Sequence, residues 1–227
     1  MVKAPLSMVQ NFPMRLDHVS YATTHDQISD VVQRIGSQIG TSFVDGGIHP
    51  RFGTRNFTAP LVGGQYIEVV CALDHPAAEQ TPFGKAVSQK AAEGGGWLSW
   101  VLSTKDISKL ESRIGREAVE GHRRRPDGTD LKWKQLGLKD LLHNEQLPFF
   151  VQWLTTDHPS SDGSAKSRIE KIVIAGSKTT VEEWLGGDID THLGDIDVDF
   201  VDPSTNDGEL GIVEVVLQNH AGVVTIS

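Results

Sequence analysis

Three stretches of the chain repeat one alternation of apolar and polar positions. They are residues 15–36 (RLDHVSYATTHDQISDVVQRIG), 96–115 (GWLSWVLSTKDISKLESRIG) and 168–187 (RIEKIVIAGSKTTVEEWLGG). Each begins with a short apolar strand, passes through a Ser- or Thr-containing cap and continues as an amphipathic helix. Ile28, Val31, Val32 and Ile35 fall at i, i+3, i+4 and i+7, which is one face of a helix, and Gly36 supplies a stop. Ile107, Leu110 and Ile114 before Gly115 repeat the pattern, as do Val181, Trp184 and Leu185 before Gly186. The stretches also finish alike. Ile67-EVVCALDHP, Val151-QWLTTDHP and Val213-EVVLQNHAG are apolar strands running into polar turns that contain His. The histidines next to proline read as turn chemistry.

Between these ends the first two copies agree again. Gly53-Thr54 recurs as Gly128-Thr129, and each opens a strand, Arg55–Leu61 and Asp130–Leu136. Thr54–Leu61 and Gln65–Cys71 flank Val62-Gly63-Gly64, a hairpin signal. The remaining segments are connectors: residues 77–95, with a helix from Phe83 to Ala92, and the Ser/Gly-rich PSSDGSAKS. The pattern predicts an N-terminal arm over 1–14, two β-α-β-β-β units at 15–75 and 96–157, a linker at 158–167 and a third, βαβββ-like unit at 168–227. One such unit cannot bury its own apolar sheet face. Two side by side close a curved, cup-shaped mixed sheet around a cleft, an α+β fold. The third unit then packs on the first two or pairs with its twin in a homodimer.

Charge narrows the partners. A formal net charge of −9 disfavours nucleic acid and anionic membrane. No apolar run approaches the roughly 20 residues that span a bilayer, and MVKAPLSMVQNFPM lacks the apolar core of a secretory signal. Cys71 is the only cysteine, so no intrachain disulfide forms, which fits the cytoplasm. The basic run His122-Arg123-Arg124-Arg125 reads either as a solvated loop or as an anion site guarding a cleft mouth.

Glu68 is the sharpest chemical signal, because a carboxylate inside the apolar run Ile67-Glu68-Val69-Val70 needs compensation. A metal, a proton or a cation such as Arg15, Arg51 or Arg55 would supply it. His18 alternates with apolar neighbours and faces either cleft or core. His49, Arg51 and Asn56 bracket Gly53-Thr54. They read as a loop that grips a carboxylate, phosphate or carbonyl oxygen, with Arg51 as a fork-shaped donor, or as polar groups satisfying their own backbone. Trp100, Phe150 and Trp153, with Trp133 and Phe149, belong to the core or form an apolar cleft wall for a small-molecule ligand.

Leu16-Asp17-His18-Val19, His49-Pro50-Arg51-Phe52-Gly53-Thr54-Arg55-Asn56, Tyr66-Ile67-Glu68 and Leu147-Pro148-Phe149-Phe150-Val151-Gln152-Trp153 together resemble the glyoxalase-like domain proteins of the vicinal oxygen chelate superfamily. The resemblance implies a divalent metal (Zn, Mn, Fe, Ni or Co) held by the first and last strands of each unit. Position by position it offers His18 and Glu68 from the first unit. The second departs from the pattern, with Ser99 and Gln152 at the matching places, where Gln152 offers the metal a neutral carbonyl oxygen. His49 would complete a two-His, one-carboxylate set if its loop folds over the cleft. The activity implied is that of a metal-dependent lyase, isomerase or dioxygenase acting on a small carbonyl or organic-acid compound, with Glu68 and His49 catalytic and Arg51, Asn56, Trp100, Phe150 and Trp153 binding substrate. The superfamily's metal-free sequestration proteins are the alternative.

Overall fold

The structure is a computed structural model that describes residues 14–227; of the N-terminal arm, residues 1–13 lie outside the described residues. The first unit runs β1 (Met14–Ala22), α1 (Ile28–Ile39), β2 (Val44–His49), β3 (Thr54–Leu61) and β4 (Gln65–Ala72). Two connecting helices follow, α2 (Pro76–Gln80) and α3 (Pro82–Ala92). The second unit runs β5 (Gly96–Thr104), α4 (Ser108–Ile114), β6 (Val119–Arg124), β7 (Asp130–Leu136), the short α5 (Leu138–Leu141) and β8 (Phe149–Trp153). The remaining elements are β9 (Arg168–Ala175), α6 (Lys178–Leu185), α7 (Ile189–His192), β10 (Asp197–Val201), β11 (Gly211–Asn219) and β12 (Gly222–Ile226).

The two units join edge to edge as one closed barrel in the order β1-β4-β3-β2-β6-β7-β8-β5. The expected cup therefore closes completely, and no edge is left unpaired. Alternation along each strand sorts the side chains. On β4, Tyr66, Glu68 and Val70 alternate with Ile67, Val69 and Cys71, and Ile67, Val69 and Cys71 enter a cluster outside the barrel with Leu16, Trp100 and Phe150. Ala22, Val70, Val101, Phe149 and Val151 form a second cluster within it. Helix α3 packs across β1, β4 and β5 and adds Phe83, Ala86 and Val87 to that second cluster. The segment read as a connector thus supplies barrel contents.

Helix α1 overruns its expected stop. It continues through Gly36 to Ile39, whose fully buried side chain extends the apolar face by one more turn, and the left-handed cap is Gly40. Gly115 and Gly186 do cap α4 and α6 in that conformation.

The last strands form a separate sheet in the order β10-β9-β11-β12. The third unit keeps the β-α-β-β-β element order but not the pairing. Its first strand takes β10 as parallel neighbour, where β1 and β5 take the final strands β4 and β8. Ile172, Ile174, Val215 and Leu217 join Leu16, Trp97, Trp100, Ile35 and Leu110 in the outer cluster. The sheet's apolar face therefore lies on the barrel, and the Trp97 indole donates to the Ile226 carbonyl across the joint at 3.0 Å.

Candidate functional site

The barrel encloses a cavity of about 30 Å³ at which His18, His49, Asn56, Glu68 and Arg123 converge. Phe52, Phe83, Trp133, Phe149 and Trp153 form its aromatic wall, with Tyr66, Gln135 and Val151. The open space has room for about two water molecules.

Glu68 reaches the cavity from β4 and is buried. Ser20 on β1 donates to its Oε2 at 2.7 Å and Asn56 on β3 donates to its Oε1 at 2.6 Å. Burial pushes the carboxyl up, but the His18 and His49 imidazoles and these two hydrogen bonds outweigh it and hold Glu68 below the usual range. None of the arginines expected as partners reaches it. Arg15 binds the Gly64 carbonyl, Arg55 pairs with Asp45, and Arg51 donates to the Glu120 carbonyl.

The charge facing Glu68 comes from Arg123 on β6, one of the basic run. Its guanidinium is 2% exposed, and Nη1 donates to Asn56 Oδ1 at 3.0 Å. Asn56 is thereby a bridge, accepting from the cation and donating to the carboxylate. Arg123 Nη2 lies 3.7 Å from Asp162, beyond hydrogen-bond distance, and Nε and Nη2 have no hydrogen-bond partner among the described residues. A buried guanidinium with two unsatisfied nitrogens is an anion-seeking group. Gly46 makes the bridge possible: a Cβ there would stand 2.1 Å from Asn56 Oδ1 and 2.3 Å from Arg123 Nη1.

His18 is held from behind. A β-bulge in β1 inserts Asp17 between Leu16 and His18, so two successive residues point toward one neighbourhood. Asp17 is fully buried, and its Oδ1 lies 2.8 Å from His18 Nδ1. Its Oδ2 accepts from the Trp153 indole at 3.1 Å and faces His158 Nε2 at 3.2 Å. Burial alone would raise the Asp17 carboxyl. The hydrogen bonds to His158 and His18 hold it well below the carboxylate range. His18 stacks on Tyr66 at 4.3 Å and turns Nε2 toward Glu68 Oε2 at 4.0 Å. His49 bonds Thr54 through Nδ1 at 2.8 Å; burial lowers its imidazole to about 4, with Glu68 opposing and Arg123 assisting, so it is neutral at physiological pH.

The other expected residues divide. Trp153 lines the cavity, but Trp100 and Phe150 lie in the outer cluster, where the Trp100 indole donates to the Gln146 carbonyl and Phe150 stacks on Trp184. Arg51 lies outside, in a neighbouring groove. Gln152 turns away as well: its carbonyl accepts from the Ile107 backbone and caps the start of α4. The reason is register. His18 lies opposite Tyr66 and Ser20 opposite Glu68, while Val101 lies opposite Phe149 and Ser103 opposite Val151. The counterparts of His18 and Glu68 are therefore Val101 and Val151, not Ser99 and Gln152. Asp17, Tyr66, Phe83 and Gln135 also belong to this neighbourhood without a role in the sequence pattern alone; an acidic residue beside His18 is the available signal for the first.

The implied metal does not fit this donor set. Among the described residues no group of three or more His, Cys, Asp or Glu side chains is arranged to hold an ion. Both Glu68 oxygens already accept hydrogen bonds, and the second unit presents two valines.

The glyoxalase-like domain family matches residues 16–187. No curated protein matches. Among solved structures, a hypothetical protein from Staphylococcus aureus is 20% identical, with a TM-score of 0.54 over 76% of this chain and 75% of its own. Methylmalonyl-CoA epimerase from Mycobacterium tuberculosis aligns at 14% identity and a TM-score of 0.41 over 61% of this chain and 85% of its own. A Streptomyces coelicolor methylmalonyl-CoA epimerase variant bound to 2-nitronate-propionyl-CoA aligns at 16% and 0.41, over 66% and 99%. No helix among the described residues is long and apolar enough to cross a membrane.

Proposed function

The chain belongs to the glyoxalase-like domain family of the vicinal oxygen chelate superfamily, and from that premise we propose that it is an isomerase- or lyase-type enzyme acting on a small carbonyl or organic-acid compound in the barrel cavity. One observation carries the reading: an ionised Glu68 and a half-satisfied Arg123 face one aromatic cavity, linked through Asn56. A substrate oxygen on Arg123 brings the adjacent C–H bond toward Glu68. The proton passes to a Glu68 oxygen, and the C–H electron pair moves into the carbonyl as an enolate whose oxygen pairs with the guanidinium. Return of the proton to the opposite face of that carbon, or to the neighbouring carbon of the enolate system, completes an isomerisation. His49, neutral and buried beside this charge pair, serves as a second proton site. His18, fixed by Asp17, orients the Glu68 carboxylate. No step runs through a metal.

The second reading is a metal-free sequestration protein. It is favoured by the apolar counterparts Val101 and Val151 and by the two hydrogen bonds that already engage Glu68. Solvent-deuterium exchange separates the two. Pyruvate, methylglyoxal and hydroxyacetone are incubated with the protein in heavy water and followed by proton NMR. Enzyme-dependent exchange that falls at least about 100-fold in Glu68→Gln supports catalysis. Binding without exchange across the panel gives the sequestration reading, and neither binding nor exchange refutes both.

A further inference from the structure

The cavity is too small for any ligand of more than a few heavy atoms, yet a groove of about 470 Å³ lies beside it. Phe52 and Gln135 line both spaces and form the partition. The partition is built on one turn. Phe52 and Gly53 both donate backbone hydrogen bonds to the His49 carbonyl at 3.0 Å. Gly53 takes a φ of +64°, and a Cβ there would stand 2.4 Å from the Ala78 nitrogen, so the turn is pressed against α2. Along this turn His49 faces the cavity, Arg51 faces the groove and Phe52 touches both.

The groove has its own chemistry. Pro82, Leu136 and Leu138 supply an apolar floor. Arg51, Arg116 and Lys139 bring positive charge to a lining in which Glu117 is the one acid among the described residues. Arg116 is committed to Asp140, whereas Arg51 and Lys139 are exposed, and among the described residues Arg51 donates from Nη1 to the Glu120 backbone carbonyl. A cation on each side of an aromatic partition, Arg123 inside and Arg51 outside, matches a molecule that is anionic or strongly polar at both ends.

We propose that the groove is a second binding subsite, and that the protein takes an extended substrate. Its small carbonyl or carboxylate head passes Phe52 to reach Arg123, and an apolar spacer and anionic tail rest on Leu136, Leu138 and Arg51. This rests on the cavity being a ligand site, as set out above. Volume supports it as well: the groove, unlike the cavity, falls in the size range of pockets that hold metabolite-sized ligands.

Straight-chain α,ω-dicarboxylates from adipate to dodecanedioate, with the monocarboxylates of matching length, are titrated calorimetrically into wild type, Arg51→Gln, Lys139→Gln and Arg123→Gln. Affinity for the dicarboxylates should peak at one chain length. Arg51→Gln should weaken the best dicarboxylate about three- to five-fold while leaving its monocarboxylate unchanged. Arg123→Gln should weaken both. If both probes bind and depend on Arg123 but neither Arg51→Gln nor Lys139→Gln distinguishes them, the second subsite is refuted and the cavity stands. If no probe binds wild type, or if Arg123→Gln changes nothing, cavity and groove fall together. Arg51 and Lys139 are exposed, so their variants fold and the comparison keeps its meaning.

Discussion

Replacing Asp17 by Asn tests whether the buried carboxylate behind His18 organises this end of the barrel. The carboxylate serves three N–H groups, on His18, Trp153 and His158, at 2.8, 3.1 and 3.2 Å. Asn keeps the shape and one carbonyl oxygen, which retains Trp153 and His158, while its NH₂ faces His18 Nδ1. A change of tautomer lets that nitrogen accept. What is lost is charge: each bond falls from charge-assisted to neutral, roughly halving its strength. At about 1 kcal/mol per bond, the loss is about 3 kcal/mol. For a chain of this size that lowers Tm by about 6–12 °C. Urea unfolding followed by circular dichroism measures the first quantity and a thermal scan the second. The dependence on pH adds a signature. Because Asp17 sits below its ordinary value of 3.8 in the folded protein, its contribution is fully present above pH 3.8 and is lost as pH falls toward the folded value. Wild type and Asp17→Asn should therefore differ most near neutrality and converge in acid. A loss below about 1 kcal/mol, or a gap that does not narrow below pH 4, refutes the account.

Three further outcomes follow from the geometry. Gly46→Ala should destabilise the chain by about 1–3 kcal/mol and weaken carboxylate binding, because its methyl lands on the Asn56–Arg123 bond; unchanged affinity by calorimetry would separate that bond from ligand capture. Dialysis against a chelator should leave Tm within about 1 °C of its starting value, since a resident structural metal would add its binding energy to stability; a larger fall would reveal ligands beyond His18 and Glu68. Substrate exchange should decline as pH falls through about 4, where His49 gains its proton and its charge opposes proton uptake from substrate; a profile flat to below pH 3.5 would remove His49 from the chemistry.

Local patterning carried most of the fold. The strands Thr54–Leu61 and Asp130–Leu136 fall where their alternation placed them, and α4 and α6 end at the expected glycines. The cavity was legible in part, through His18, His49, Asn56 and Glu68, because each polar residue breaks an apolar strand or follows a turn. Register was not legible. Matching the units by their starts put Ser99 opposite His18 in the repeat, whereas hydrogen-bond pairing selects Val101. Ser99 and Val101 share a face, but the one-residue slip from Val151 to Gln152 exchanges an inner for an outer side chain, and Trp100 and Phe150 face away because they alternate with the inner Val101, Phe149 and Val151. Arg123 was visible only as part of a basic run, since nothing local distinguishes a cation swallowed by a barrel from one in water. The sheet of the third unit shows the same limit: element order repeats while pairing, a long-range property, does not.

The bulge at Asp17 also bears on how such a site can arise. A point substitution changes what a strand position carries but leaves it on the same face of the sheet. An added residue in β1 does something substitution cannot, because it lets neighbours in sequence share one side of the wall. The Asp–His pairing behind the cavity is thus within reach of a single-codon insertion, and a single-codon deletion would undo it. Length variation at this one position, more than variation in residue type, is the character that would separate relatives with a supported imidazole from those without one.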